Sequence, residues 1–326
     1  MIERYLKAAA KRALSSRWGW RAVGPLVRAP GVVVLYYHRV LHRERSDIGG
    51  IGFDDFVGHM RWIRAHCDPI HPDELQERAR DRRRGRPAVL VTFDDGYRDY
   101  HDLAYPVLRE LAIPALVFVA TSFLDADATP WTDDLQWAVL HSRSDRVRLP
   151  WSAPPGVPLN GDASRTILGE RAREHLKALP DGERRVALAT LLRDLGVVPG
   201  RERQMLTWDE VRATMDITTY GGHSHTHPIL ARLTREDCER EIRVCRDRIT
   251  AETGWAPRYF AYPNGQPGDF DGETQELLRR HGFTVAFSTS PGVAGPDTDW
   301  MAVKRVAGVG AGVADFAWFA ATRSRA

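Results

Sequence analysis

The 326-residue chain reads as an α/β protein, a distorted (β/α)7 barrel with a helical insertion between its third and fourth strands. Three observations predict this. Short runs rich in β-branched and aromatic residues recur at Val32–Tyr37, Ala88–Phe93, Ala115–Val119, Ile217–Tyr220, Tyr259–Tyr262, Thr284–Phe287 and Met301–Val306. Most are continuously apolar, as parallel strands covered on both faces are. Helical patterns lie between them, which gives the βα alternation of a barrel or an open wound sheet. Finally, the runs end in polar or turn-forming residues: His38 after Tyr37, Asp94-Asp95-Gly96 after Phe93, Gly221-Gly222-His223 after Tyr220, and Pro263-Asn264-Gly265 after Tyr262. In βα barrels the C-terminal strand ends converge on the active site, and so many chemistry-bearing ends favour the barrel.

Helices are expected over Asp54–His66, Asp99–Leu111, Arg235–Glu252 and Gly272–His281. Thr234 with Asp237 marks a helix start and Gly254 its end, and Thr207 with Glu210 is a capping-box pattern. Leu124 to Leu206 breaks the strand–helix rhythm. Helical patterns around Asp134–Leu140, Arg171–Leu179 and Glu183–Leu195, with a Pro/Gly-rich bend from Pro150 to Gly156, make it an insertion at about 125–206, read either as a lid over the mouth or as structural elaboration. Cys238, Ile242, Cys245 and Ile249 follow a 4-3-4 spacing, an apolar helix stripe; with Cys67 they make three cysteines, no disulfide framework.

Residues 1–30 form a separate basic segment ahead of the barrel domain at 31–326. Seven Arg or Lys face one Glu there, an excess of +6 that leaves the rest about −3. The segment lacks the apolar core of a secretory signal. It permits an amphipathic basic helix, either packed on the domain or lying against an anionic membrane surface; an organellar transit peptide has similar composition. A cytoplasmic protein, peripheral at most to the inner membrane face, is the expectation. No apolar run is long enough to span a bilayer. The basic run from Arg78 to Arg86 has no interleaved aromatics and reads as a solvated helix end, so no nucleic-acid partner is expected.

Two adjacent carboxylates, Asp94 and Asp95, at the end of a buried strand need a cation or a proton to offset repulsion and desolvation. Gly96 lets the chain turn so that both can reach one site; an N-cap role is the plainer alternative. His223, His225 and His227 fall within five residues of one another, of only 12 His in the chain. His223 and His227 can face one centre, and Pro228 favours a loop over a helix there, leaving His225 outward. Asp95, His223 and His227 thus make a two-His, one-carboxylate set with positions left open for water, as in catalytic zinc sites.

Thr92–Gly96 together with His223-Ser-His-Thr-His227-Pro228 resembles the first two motifs of carbohydrate esterase family 4, the polysaccharide deacetylases. The resemblance runs from about residue 32 to 310. It implies Asp94 as catalytic base, Asp95 as carboxylate ligand, His223 and His227 as imidazole ligands, and a divalent metal, zinc first, with cobalt, nickel, iron or manganese as alternatives. The family's third motif corresponds to Arg258-Tyr-Phe-Ala-Tyr-Pro-Asn-Gly265, but Ala261 stands where many members carry a base-orienting Arg. Lys304 and Arg305 are candidate substitutes, bonding Asp94. The family's C-terminal Leu-x-His is missing, whereas His38 ends the first strand. This resembles the circularly permuted branch of poly-N-acetylglucosamine deacetylases in exopolysaccharide systems, with His38 as general acid. A backbone N–H near Gly265 or Tyr97 is the expected oxyanion donor, in a substrate loop of Tyr97, Pro263, Asn264 and Gly265. Trp131, Trp137, Trp208 and Trp300 could stack on sugars or simply fill the core.

The activity so implied is metal-dependent removal of an N-acetyl group from an amino-sugar-containing saccharide or its lipid- or nucleotide-linked precursor. A metal hydrolase of a non-sugar amide, or a non-catalytic saccharide-binding relative, are the alternatives.

Overall fold

β1 (Val32–Tyr37) lies parallel to β5 (Ala88–Phe93) over six residue pairs in register, Val32 opposite Ala88 through Tyr37 opposite Phe93. Around this pair a computed structural model describes residues 31–42, 49–81, 85–126, 128–151, 156–197 and 204–308. The basic segment 1–30, with its expected amphipathic helix and membrane contact, lies outside the described residues, as do 82–84 of the second basic run and 152–155 of the Pro/Gly-rich bend.

The remaining barrel strands are β6 (Ala115–Val119), β9 (Thr218–Gly222), β10 (Tyr259–Ala261), β11 (Val285–Phe287) and β12 (Val306–Ala307). Their order is β11-β10-β9-β6-β5-β1-β12, and every neighbouring pair is parallel. A parallel bridge from Phe287 to Val303 joins β11 to the segment leading into β12, which draws the two ends of the curled sheet together. The last strand is therefore shorter than Met301–Val306: Trp300 O and Val303 use their backbone groups on Ala286 and Ser288 before the chain crosses to β1. Short strands β2 (Val40–Leu41), β3 (Ile51–Gly52) and β4 (Asp68–Pro69) flank the first crossover.

Alternation along the strands sorts the core. Val32, Val34, Leu90, Leu116, Phe118, Ala261, Phe287 and Val303 fill the barrel interior. Val33, Leu35, Val89, Val91, Val117 and Val119 face outward with Phe56, Met60 and Ile63 of α1 (Phe53–His66), Leu108 of α3 (Tyr105–Glu110) and Val211 of α8 (Trp208–Ala213). Burial on both faces explains why these strands are apolar without a break. α2 (Leu75–Arg80) closes the first crossover.

The helix expected over Asp99–Leu111 is divided. Tyr100–Ala104 form a wide π-type turn before α3, whose second residue, Pro106, has no N–H to continue an α-helical ladder. Both cap signals are made: Thr207 and Glu210 exchange their hydrogen bonds at the start of α8, and Thr234 caps α9 (Arg235–Thr253), which ends at left-handed Gly254. Cys238, Ile242, Cys245 and Ile249 are buried along α9, and all three cysteines are free thiols.

Between β6 and β9 run α4 (Thr121–Ala126), α5 (Trp131–His141), an antiparallel hairpin of β7 (Arg146–Val147) and β8 (Val157–Pro158), α6 (Asp162–Ala178) and α7 (Asp181–Leu195). Helices α5, α6 and α7 enclose their own core of Leu135, Val139, Leu168, Leu176, Leu188 and Leu191. α10 (Gly272–Arg280) precedes β11.

The two glycines ending β9 are there for lack of room. A Cβ on Gly221 would lie 2.7 Å from Tyr259 O and 2.8 Å from the Phe118 ring. Gly221→Ala is accordingly expected to lower stability by about 1–3 kcal/mol through overpacking, read as a lower urea midpoint with an unchanged m-value.

Candidate metal centre and active site

β5 and β9 flank β6, so their C-terminal extensions meet at one end of the barrel. Asp94 still continues its strand, its N–H bonding Tyr37 O at 2.9 Å. The chain then turns at Asp95 (φ 74°) as well as at Gly96 (φ 83°). The left-handed backbone at a non-glycine residue costs of order 1–3 kcal/mol, and here it sends two adjacent carboxylates to different partners.

Asp94 meets Arg305. Two parallel bonds, Nη1 to Oδ1 at 2.7 Å and Nη2 to Oδ2 at 2.8 Å, join a fully buried guanidinium to a carboxylate 2% exposed. Arg305 also donates to Ser288 O at 2.9 Å and Thr92 Oγ1 at 3.2 Å, and lies over the Tyr36 ring. Burial pushes the Asp94 carboxyl up, but the charge and hydrogen bonds of Arg305, with the charges of His223 and His38, outweigh it and hold the group below its usual range. Lys304 does not share this role: it is exposed, because neighbouring residues of an extended segment point opposite ways.

Asp95 meets the histidines. Its Oδ1 lies 3.2 Å from His223 Nε2 and 3.2 Å from His227 Nε2. Neither ring directs a hydrogen bond at it, so this buried oxygen has none. His223 Nδ1 is 2.7 Å from Ala261 O; a carbonyl only accepts, so Nδ1 carries a proton, and in the neutral form of His223 the Nε2 lone pair is the one turned toward Asp95. Burial raises the Asp95 carboxyl, yet its contacts with the two imidazoles more than offset this and it sits well below the ordinary range. Burial lowers both histidines; the contact with Asp95 and the charges of Asp94 and Asp95 nevertheless bring His223 above its usual value, while His227 stays below.

The loop holding these rings contains no helical turn. Ser224 (φ 62°) and His227 (φ 60°) are left-handed, and Ser224 Oγ accepts from His227 N–H. Buried Glu241 of α9 fastens the loop: it accepts from His225 N–H at 2.9 Å, Thr226 N–H at 2.7 Å and the Thr226 hydroxyl at 2.7 Å. His225 turns away, 2.8 Å from Thr121 Oγ1.

The donor atoms of Asp95, His223 and His227 all lie within 4.8 Å of one another. An unbonded buried carboxylate oxygen facing two ring nitrogens, one with its tautomer fixed by a carbonyl behind it, fits a divalent metal in the two-His, one-carboxylate manner. His101, Asp102 and Glu210 also bring donor atoms together, but Arg98 stands 3.2 Å from Asp102 and 3.5 Å from Glu210, and the Glu210 carboxylate is engaged in the capping box of α8 with Thr207.

Half-buried His38 lies edge-on to Tyr36, near enough to Asp94, Asp95 and His227 to act on their charge. The next residue, Arg39, is a hub that the sequence did not reveal. It bonds Asp99 at 2.9 Å and Gln204 at 2.7 Å, approaches Asp133 at 3.9 Å and covers the Tyr97 ring. Tyr97 in turn donates its hydroxyl to Asp133 of α5 at 3.0 Å, which ties the insertion to the Asp95–Gly96 turn. In the Pro263–Gly265 loop the expected oxyanion donor is engaged: Gly265 N–H bonds Pro263 O at 2.8 Å, with Asn264 (φ 60°) and Gly265 (φ 70°) both left-handed. Of the tryptophans, Trp208 is buried with its N–H on Asp125, Trp137 stacks on His141, Trp300 packs against the barrel core, and Trp131 lies under Arg184.

A parallel βα barrel whose strand ends gather a 2-His-1-Asp cluster beside an Arg-clamped aspartate defines a class: βα barrels with a candidate metal site next to a buried, ion-paired carboxylate. A family model for polysaccharide deacetylases matches residues 81–146 and 168–286, more than half of the chain, and the chain belongs to that family. YxkH of Bacillus subtilis (strain 168), a protein named for the same family, is 34% identical over 88 residues, covering 26% of this chain and 30% of that relative's length. Among solved structures, IcaB from Ammonifex degensii is similar with TM-score 0.58 and 20% identity, covering 90% of this chain and 99% of that one. The Streptococcus pyogenes deacetylase PplD gives 0.57 and 14%, over 86% and 93%. The deacetylase domain of BpsB from Bordetella bronchiseptica gives 0.52 and 18%, over 85% and 96%. At these identities the structural likenesses establish the shared fold.

Because Asp94 is depressed in the fold, its pairing with Arg305 stabilises fully above the ordinary carboxylate range and is lost as pH falls through the depressed value. Arg305→Gln leaves a buried carboxylate unpaired and is expected to cost about 3–5 kcal/mol at neutral pH. The deficit should shrink on acidification, as measured by denaturant unfolding at several pH values.

Proposed function

We propose that the chain is a metal-dependent hydrolase that removes the N-acetyl group from an amino-sugar-containing saccharide or from its lipid- or nucleotide-linked precursor. One observation carries this reading: Asp95 Oδ1 faces two imidazole nitrogens without a hydrogen bond, directly beside an aspartate that Arg305 keeps ionised. Membership of the polysaccharide deacetylase family supports the amide of an acetylated sugar as the bond cleaved.

Asp95, His223 and His227 would hold the divalent ion, for which zinc suits the donor set and cobalt, nickel, iron or manganese are compatible, and the ion would supply Lewis-acid polarisation of the acetamide and a more acidic water. Asp94 takes the proton of the attacking water at a carboxylate oxygen. Arg305 fixes the plane of that carboxylate and favours its charged form, so the base is available at neutral pH. His38, at the end of β1, gives a proton to the departing amine nitrogen. With Gly265 N–H engaged, the amide of Tyr97 at the neighbouring turn is the remaining main-chain candidate to face the developing oxyanion. Amide and water thus become amine and acetic acid, which part in solution as ammonium and acetate, and the proton Asp94 gained and His38 gave up is exchanged with solvent, which resets both groups.

Asp94→Asn should retain zinc at full stoichiometry and lose about 10²–10⁴-fold in kcat, the range of acid–base catalysis, on N-acetylglucosamine oligomers or a panel of acetamides. His223→Ala should lose the zinc. Zinc analysis paired with turnover checks both, and full occupancy in His223→Ala would contradict the ligand assignment.

A further inference from the structure

His38 is bracketed by two attachments to the segment that carries Asp94 and Asp95. Before it, β1 and β5 stay in register to Tyr37 opposite Phe93, and Asp94 N–H bonds Tyr37 O at 2.9 Å. After it, Asp99 takes hold twice. Its Oδ1 accepts from Val40 N–H at 3.0 Å, and its Oδ2 accepts from Arg39 Nε–H at 2.9 Å. The stretch from Asp94 to Asp99 therefore carries both aspartates of the site and fixes the chain on either side of His38.

Side chains along this stretch of β1 go to opposite faces. Tyr36 and His38 share one, their rings edge-on at 5.8 Å, and Arg305, which clamps Asp94, lies 4.8 Å over the Tyr36 ring. Arg39 takes the other. It is 8% exposed, donates to Gln204 Oε1 at 2.7 Å, lies 4.6 Å over the Tyr97 ring and approaches Asp133 at 3.9 Å. Gln204 is itself tied to the turn after β5: Arg98 N–H bonds Gln204 O at 2.8 Å, and Leu206 N–H bonds Gly96 O at 2.9 Å. Arg39 thus joins the turn after β1 to the turn after β5, to α5 and to the exit of the insertion.

A general acid works only within hydrogen-bond reach of the atom it protonates. The His38 ring touches Tyr36 and makes no hydrogen bond among the described residues, so its place is set by the main chain beneath it. We infer that Asp99 and Arg39 are the positioning residues for His38: their ion pair and the Asp99–Val40 bond hold the backbone that aims the imidazole at the departing amine. This rests on the deacetylase reading, in which His38 is the proton donor, and extends it to the pair behind that donor.

The leaving group separates aiming the acid from general support of the site. When the C–N bond of an acetamide breaks, nitrogen keeps the electron pair and takes the His38 proton; 4-nitrophenyl acetate releases a phenolate that needs none. Burial pushes the Asp99 carboxyl up to about 6, so turnover is measured above neutral pH, where it is charged. Asp99→Asn removes that charge at nearly constant shape, and Arg39→Lys keeps a charge without the fork that spans Asp99 and Gln204. Each should retain zinc in the full chain. Each should also lower the ratio of kcat on N-acetylglucosamine oligomers to kcat on 4-nitrophenyl acetate by about 10-fold or more. His38→Ala should lower the same ratio, and adding Asp99→Asn to it should lower it no further. An unchanged ratio, loss of the zinc, or a further fall in the double variant would overturn the assignment.

A second measurement needs no substrate. The His38 imidazole NMR resonance, identified by its absence from His38→Ala, should move in Asp99→Asn while those of His223 and His227 hold; an unmoved His38 would also overturn the assignment. A wild-type chain that releases acetate from no acetamide, with the His38 resonance displaced in Asp99→Asn, would instead count against the deacetylase reading and leave the positioning role standing.

Discussion

The arrangement depends on one unsatisfied atom, Asp95 Oδ1. A buried carboxylate oxygen ordinarily collects hydrogen bonds; this one has two imidazole nitrogens at 3.2 Å and none. Acceptor facing acceptor is repulsive unless something positive lies between them. Without a metal, a proton on His223 can serve, which is why its affinity for a proton is raised despite burial. A divalent cation bound there would compete with that proton for the same place, because ligation and protonation are linked.

Much of the surrounding structure holds that atom in its predicament. Left-handed backbone at Asp95, Ser224 and His227 aims three side chains at one point, and such strain persists only where neighbours over-determine it. Glu241 fastens the histidine loop from α9, Ala261 O fixes the His223 tautomer, and Gly221 and Gly222 let β9 approach β10 and Phe118 closely enough for that contact. Arg305 isolates the second carboxylate electrically. By taking Asp94 as a bidentate partner it lets two adjacent aspartates stay ionised, one facing the two imidazoles and one facing the guanidinium.

The sequence made the strands, their order in the chain, the two cap motifs and the Asp–His–His set legible, because each is written within a few residues: an apolar run, a spacing, a cluster. Features that depend on distant juxtaposition were not. Glu241 sits in a helix whose evident feature is its cysteine–isoleucine stripe, and nothing local shows that its carboxylate reaches back to His225 and Thr226, 16 and 15 residues earlier. Arg39 bonds Asp99 and Gln204, 60 and 165 residues away. Lys304 and Arg305 could not be told apart because the choice depends on the parity of the last strand, and that is set by where the chain crosses from β11 to β1. The Gly265 amide looked available because a Pro-Asn-Gly turn does not disclose which of its own carbonyls its N–H will meet.

The most direct test of the central claim is X-ray absorption at the zinc edge on the full chain loaded with one equivalent of zinc. A single tightly held ion with only nitrogen and oxygen neighbours, two of them imidazole, is the expected result. Sulfur scattering from the buried cysteines, or zinc that washes away with the excess, would contradict it.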